Sequence, residues 1–215
     1  GAGGLLVVAA DPVALEAATG FAGALGPWAG RLSNGGERVA LRDPAGIRVD
    51  DVTYGDSHQW PAEADGDGPS LELINPALPN QYPAVWRGSL APFGTPDAAN
   101  SVFESGPGPV VFDTIHNPPV PNGGQSVTIT THVVDDAGTA PTVVLWHRRD
   151  GDPSFTQSPM TDDGDHGDGA PGDGVYGTTV PGLATGQRLD FHIRAVNARD
   201  QLTTAPLDAP RAAYL

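Results

Sequence analysis

The chain has 215 residues and carries 11 basic against 26 acidic side chains, a formal net charge of −15. Its 29 glycines and 22 prolines exclude a helical bundle or coiled coil, because each such residue inside a helix costs about 1–3 kcal/mol. A hydrophobic share of 39%, arranged in alternating runs, argues against a disordered chain.

The longest unbroken apolar run, Leu5 to Ala10, is far short of the ~20 helical residues that cross a membrane. Without cysteine there is no disulfide framework, no thiolate zinc site and no thiol nucleophile. All eleven basic residues are arginine, a bias that resembles the coding of a GC-rich bacterium. Aspartate greatly outnumbers glutamate, and its short side chain suits turns and cation-binding loops. The opening Gly-Ala-Gly-Gly, with neither Met nor a signal peptide, reads as a mature or excised fragment.

In chain order, Leu5 to Ala9 reads as a short apolar strand. One helix follows, with Asp11 as its cap, Pro12 in the first turn, Val13 to Thr19 as its body and Gly20 as its stop. Arg38 to Arg42 alternates Val39 and Leu41 against Arg38, Ala40 and Arg42, the pattern of a half-buried strand. Asp43 to Gly46 is a turn, and Ile47 to Tyr54 and Ser70 to Ile74 are two further strands. A Gly/Pro/Asn-rich stretch from Ala98 to Gly124 places a domain boundary near Gly106. Beyond it, Val127, Ile129 and Val133 share one strand face, and Val143 to Arg148 is another strand. Arg188 to Asn197 alternates most cleanly, with Leu189, Phe191, Ile193 and Ala195 opposed to Arg188, Asp190, His192 and Arg194. The expected fold class is all-β, with two immunoglobulin-like β-sandwiches in tandem over residues 1–105 and 106–215.

The segments Leu6 to Pro12, Leu32 to Asp43, Asp51 to Tyr54, Trp60-Pro61, Ala64 to Gly68, Ser70 to Leu73, Trp86, Gly94 to Pro96 and Asn100 resemble the bacterial lamin-tail domain. That resemblance implies an immunoglobulin-like sandwich whose opening strands have no counterpart here. An incomplete sandwich leaves strand edges with unpaired N–H and C=O groups. The edge is therefore expected to be covered by upstream residues, another subunit or another chain. Pro159 to Tyr176, with its Met-Thr-Asp-Asp-Gly-Asp-His-Gly-Asp run followed by Gly-Asp-Gly-Val-Tyr, resembles the bacterial immunoglobulin/fibronectin-III-like domain of large secreted proteins.

The chemistry is sparse. The six histidines (58, 116, 132, 147, 166 and 192) form no metal-binding spacing, and His132 and His192 are expected to be solvated or hydrogen-bonded on polar strand faces. No Gly-x-Ser-x-Gly elbow is present, and the opening glycines precede a strand, which is the wrong context for a dinucleotide fingerprint. Glu37, Glu63 and Glu72 with nearby aspartates could form a carboxylate pair, the basis of a third reading as an enzyme with its site at the domain junction. Nothing in the sequence fixes their separation. Dispersed arginines on an acidic chain argue against nucleic acid. Trp28, Trp60 and Trp86 are expected in the core, the alternative being a sugar-stacking platform.

The one dense constellation is Asp162, Asp163, Asp165, Asp168 and Asp173, five aspartates in twelve residues interleaved with glycine. It could hold Ca2+, which takes six to eight oxygens from an irregular loop. It could equally be an acidic turn held by aspartate-to-backbone hydrogen bonds. The expected function is a non-catalytic structural, adhesion or assembly module of a larger secreted or cell-surface bacterial protein, partnered by other domains or subunits of that assembly. The alternative is an accessory polysaccharide-binding module of an exported hydrolase, which would show two or more coplanar exposed rings.

Overall fold

The computed structural model describes residues 4–56, 60–66, 68–211 and 213–214. Gly1 to Gly3, His58 and Asp67, which figure in the sequence reading, lie outside the described residues. The protein is mostly β, built from antiparallel sheets with one short helix. It divides into two compact units, Gly1–Ser105 and Gly106–Leu215.

In the first unit the helix α1 is Pro12–Thr19. The Ala14 N–H donates to Asp11 Oδ1 at 3.0 Å, and Gly20 at φ 79° closes the helix by donating to the Glu16 carbonyl. The strand expected at Leu5 to Ala9 is not formed. Val8 makes a single parallel bridge to Leu25, because an apolar run becomes a strand only where a ladder partner runs beside it.

Strand β1 (Glu37–Arg42) pairs antiparallel with β2 (Arg48–Tyr54), Val39 lying opposite Val52. The intervening turn closes on Asp43, whose Oδ1 accepts the Ala45 and Ile47 N–H groups. β1 is not half-buried as its alternation implied. Val39 and Leu41 are 43% and 53% exposed, because this two-stranded ribbon has too little protein stacked on it to form a second layer. A second ribbon joins β3 (Leu71–Leu73) to β4 (Trp86–Gly88), a strand the sequence reading left unassigned. Among the described residues of this unit, Ile74, Leu78 and Val85 are the buried apolar side chains.

The second unit is a two-layer sandwich. One sheet has the order β5 (Val110–Asn117), β6 (Val127–Val134), β9 (Val175–Val180). The other has the order β11 (Leu202–Ala205), β10 (Leu189–Val196), β7 (Thr142–Arg149), β8 (Thr156–Met160). Ile129, Val133, Tyr176 and Val180 from the first sheet meet Val143, Leu145, Phe191, Ile193 and Ala195 from the second in one core. The clean alternation of β10 is realised, since Ile193 and Ala195 are fully buried. β5, β8, β9 and β11 were not anticipated. β8 tolerates Pro159 because it is an edge strand, where a missing N–H leaves no ladder bond unmade.

Candidate functional site

The acidic loop connects β8 to β9 and so carries the chain from one sheet of the sandwich to the other. Its two ends are drawn together by the bridge between Thr161 and Gly177. Between them the aspartates face the loop's own amides. Asp162 reaches across to the far end, where Oδ1 accepts from Gly172 N at 2.7 Å and Asp173 N at 3.2 Å, and Oδ2 from Gly174 N at 2.9 Å. Asp168 Oδ2 accepts from Asp163 N and Gly164 N at 2.9 and 3.2 Å. Asp173 accepts from Ala170 N and Val175 N, both at 2.9 Å. Asp163 Oδ1 accepts from Asp165 N at 3.0 Å and lies 3.1 Å from His166 Nδ1.

The electrostatics follow this geometry. The Asp165 N–H, the His166 ring and the Thr161 hydroxyl together hold the Asp163 carboxyl down to about 2, and Asp163 in turn raises the His166 pKa. The Ala170 and Val175 N–H groups keep Asp173 below the usual carboxylate range.

Of the five aspartates read as calcium ligands, four are thus engaged by backbone donors, and Asp165 is exposed. Among the described residues no group of three or more His, Asp or Glu side chains converges as a metal cage. Asp168 is 1% exposed, and its Oδ1 has no hydrogen-bond partner. The arrangement works as a strap that satisfies the amides of an irregular crossover, the role aspartate plays in turns. Thermal melts in millimolar calcium and in chelator are therefore expected to coincide. A midpoint that rises with calcium, with a bound ion in calorimetry, would decide for the cation reading instead.

A second cluster, which the sequence reading missed, covers the outer face of the β7–β10 sheet. Register places His192 opposite Trp146. The imidazole stacks on the indole with centroids 5.9 Å apart and meets the edge of Phe155 at 4.8 Å. Arg148 lies 4.4 Å over Phe155, and Arg194 lies 5.1 Å over Trp146. His192 is consequently not solvated as expected. It is 3% exposed, and its Nδ1 has no partner. Burial, then Arg194 and Arg148, lower its pKa. The alternation of His192 and Arg194 was legible, but the facing Trp146 and the arrival of Phe155 depended on register.

In the first unit a cleft of about 460 Å³ opens beside the β1–β2 ribbon. Val39, Val52 and Tyr54 form one wall, Trp60 and Trp86 are on another, and Asp56 and Asp65 also line it. Trp28, Trp60 and Trp86 are half-buried and not enclosed in a core. Trp60 and Trp86 lie 6.1 Å apart with planes tilted by 44°, so they do not make a coplanar platform. Trp86 Nε1–H is occupied, donating to the Asn80 carbonyl at 2.9 Å.

Glu72 is 4% exposed on β3. Ser101, Thr95 and Ser89 hydroxyls donate to it at 2.6, 2.8 and 2.9 Å. A carboxylate so enclosed organises the 89–102 segment and has no open side for substrate. Compared with known proteins, the chain matches no family model and no curated relative.

Proposed function

We propose that this chain is a non-catalytic structural, adhesion or assembly module of a larger secreted or cell-surface bacterial protein, with a lamin-tail-like first unit and an immunoglobulin/fibronectin-III-like second one. The observation that carries the reading is the exposed apolar surface of the first unit. Val39, Leu41, Ile47 and Val49 are all more than 40% exposed on or beside one two-stranded ribbon. A ribbon with this much apolar surface and unpaired edges is a surface for association. The strand order of the second unit, three strands facing four, supports its sandwich assignment.

The partners are other domains or subunits of the parent assembly. Nucleic acid is disfavoured by the net charge of −15, and several of the eleven arginines are already paired: Arg38 and Arg48 with Asp51, Arg148 with Asp190, Arg149 with Asp152 and Arg199 with Asp136. The tilted Trp60–Trp86 pair gives the polysaccharide alternative no stacking surface.

The purified chain is expected to turn over no substrate in a panel of glycosidic, ester and peptide bonds, and to pass unretained over insoluble polysaccharides. It is also expected to associate in a concentration series by light scattering, and Leu41→Asp with Val49→Asp should abolish that association. Hydrolysis abolished by a single Asp or Glu substitution would overturn the reading. So would a compact monomer at every concentration.

A further inference from the structure

The turn that leads into β1 carries Asn34-Gly35-Gly36, and its two ends are firmly held. Ser33 N–H donates to Glu37 Oε1 at 2.7 Å, and Tyr54 Oη–H donates to the Ser33 carbonyl at 2.7 Å. Gly36 sits at φ 101°, where a Cβ would collide with the Tyr54 carbonyl. Between these anchors Asn34 and Gly35 form the centre of a turn closed by the Gly36 N–H, which donates to the Ser33 carbonyl at 3.4 Å. Both residues are exposed, and neither the Asn34 side chain nor the Gly35 N–H has a hydrogen-bond partner.

The other Asn-Gly link of the chain, Asn122-Gly123, is restrained differently, as are two of its Asp-Gly links. Asn122 donates both its N–H and its Nδ2 to Gln125 Oε1, and the adjacent Gly123 packs against Thr185. In the acidic loop the Gly164 and Gly174 N–H groups are spent on Asp168 and Asp162.

We propose that Asn34 is a site of spontaneous self-modification by deamidation. The Gly35 backbone nitrogen, after losing its proton, attacks Asn34 Cγ. A C–N bond forms, Nδ2 leaves as ammonia, and a cyclic succinimide results. Water then opens the ring at either carbonyl carbon. Attack at Cγ leaves aspartate, and attack at the main-chain carbonyl leaves isoaspartate, with the chain continuing through the side chain. The net change is uptake of water and release of ammonia, with no other reactant. Glycine at the second position matters because it leaves the attacking nitrogen unhindered, and the fold matters because it gives that nitrogen nothing else to do. The product adds a negative charge at the rim of the Trp60–Trp86 cleft, which Asn34 lines together with Asp56.

The variant that isolates the step is Gly35→Ala. Gly35 is not at positive φ, and a Cβ there meets nothing closer than 4.0 Å, so the fold tolerates it. The native and the urea-unfolded chain are held at mildly alkaline pH and digested after arginine, which releases the Leu32–Arg38 peptide, and products are followed by mass spectrometry and isoaspartyl methylation. At Asn34 the native rate is expected to approach the unfolded rate, whereas at Asn122 folding slows the reaction markedly. Gly35→Ala should remove the Asn34 product in the native protein without lowering the melting temperature. Equal protection of both asparagines by folding would overturn the proposal, as would an Asn34 product that persists undiminished in Gly35→Ala.

Discussion

Replacing Glu72 by alanine is expected to destabilise the first unit by roughly 2–4 kcal/mol, because three hydroxyl donors lose a charged acceptor in a buried place. Ser89, Thr95 and Ser101 all converge on this carboxylate, so one substitution strands three donors spread along the 89–102 segment. Urea unfolding followed by tryptophan fluorescence measures it, since three of the four indoles belong to this unit. A loss within error of zero would mean that the 89–102 segment is held by something else.

The same residue gives a pH dependence of known sign. Burial alone would raise its pKa, but the Ser101, Thr95 and Ser89 hydroxyls outweigh that and lower it from 4.5. A carboxyl whose folded pKa lies below its unfolded one contributes fully above the unfolded value. The contribution disappears as pH falls through the folded value. The stability gap between wild type and Glu72→Gln is therefore expected to be constant near neutrality and to shrink below about pH 4.5. A gap that widened on acidification would reverse the assignment.

The second large effect separates the two units by the same side chain in two settings. Leu145 is fully buried in the sandwich core, while Leu41 is 53% exposed on the ribbon. Leu145→Ala is expected to cost about 2–5 kcal/mol through lost burial and the cavity left behind. Leu41→Ala is expected to change stability by no more than about 0.5 kcal/mol in dilute solution, as surface substitutions do. Should Leu41→Ala cost as much as Leu145→Ala, the ribbon face would be covered in the free protein and would no longer serve as an association surface.

The residues themselves determined the all-β class, through glycine and proline that no helix tolerates and period-two alternation at Ile129, Val133, Leu189, Ile193 and Ala195. They also determined the single helix, since Asp11, Pro12 and Gly20 act within one turn of their own positions. The acidic loop was legible as a cluster, because aspartate and glycine announce a turn.

What those aspartates do was decided by tertiary structure. Whether a carboxylate meets a cation or an amide depends on where the N–H groups of residues ten or twelve positions away come to lie, as Asp162 and Gly174 show. Register likewise decided His192, whose polar-face position says nothing of the Trp146 and Phe155 rings that bury it. The ribbon shows the same division. Alternation marks Val39 and Leu41 as residues that belong against an apolar layer, but only the packing of whole sheets supplies that layer, and in the first unit it leaves them in solvent.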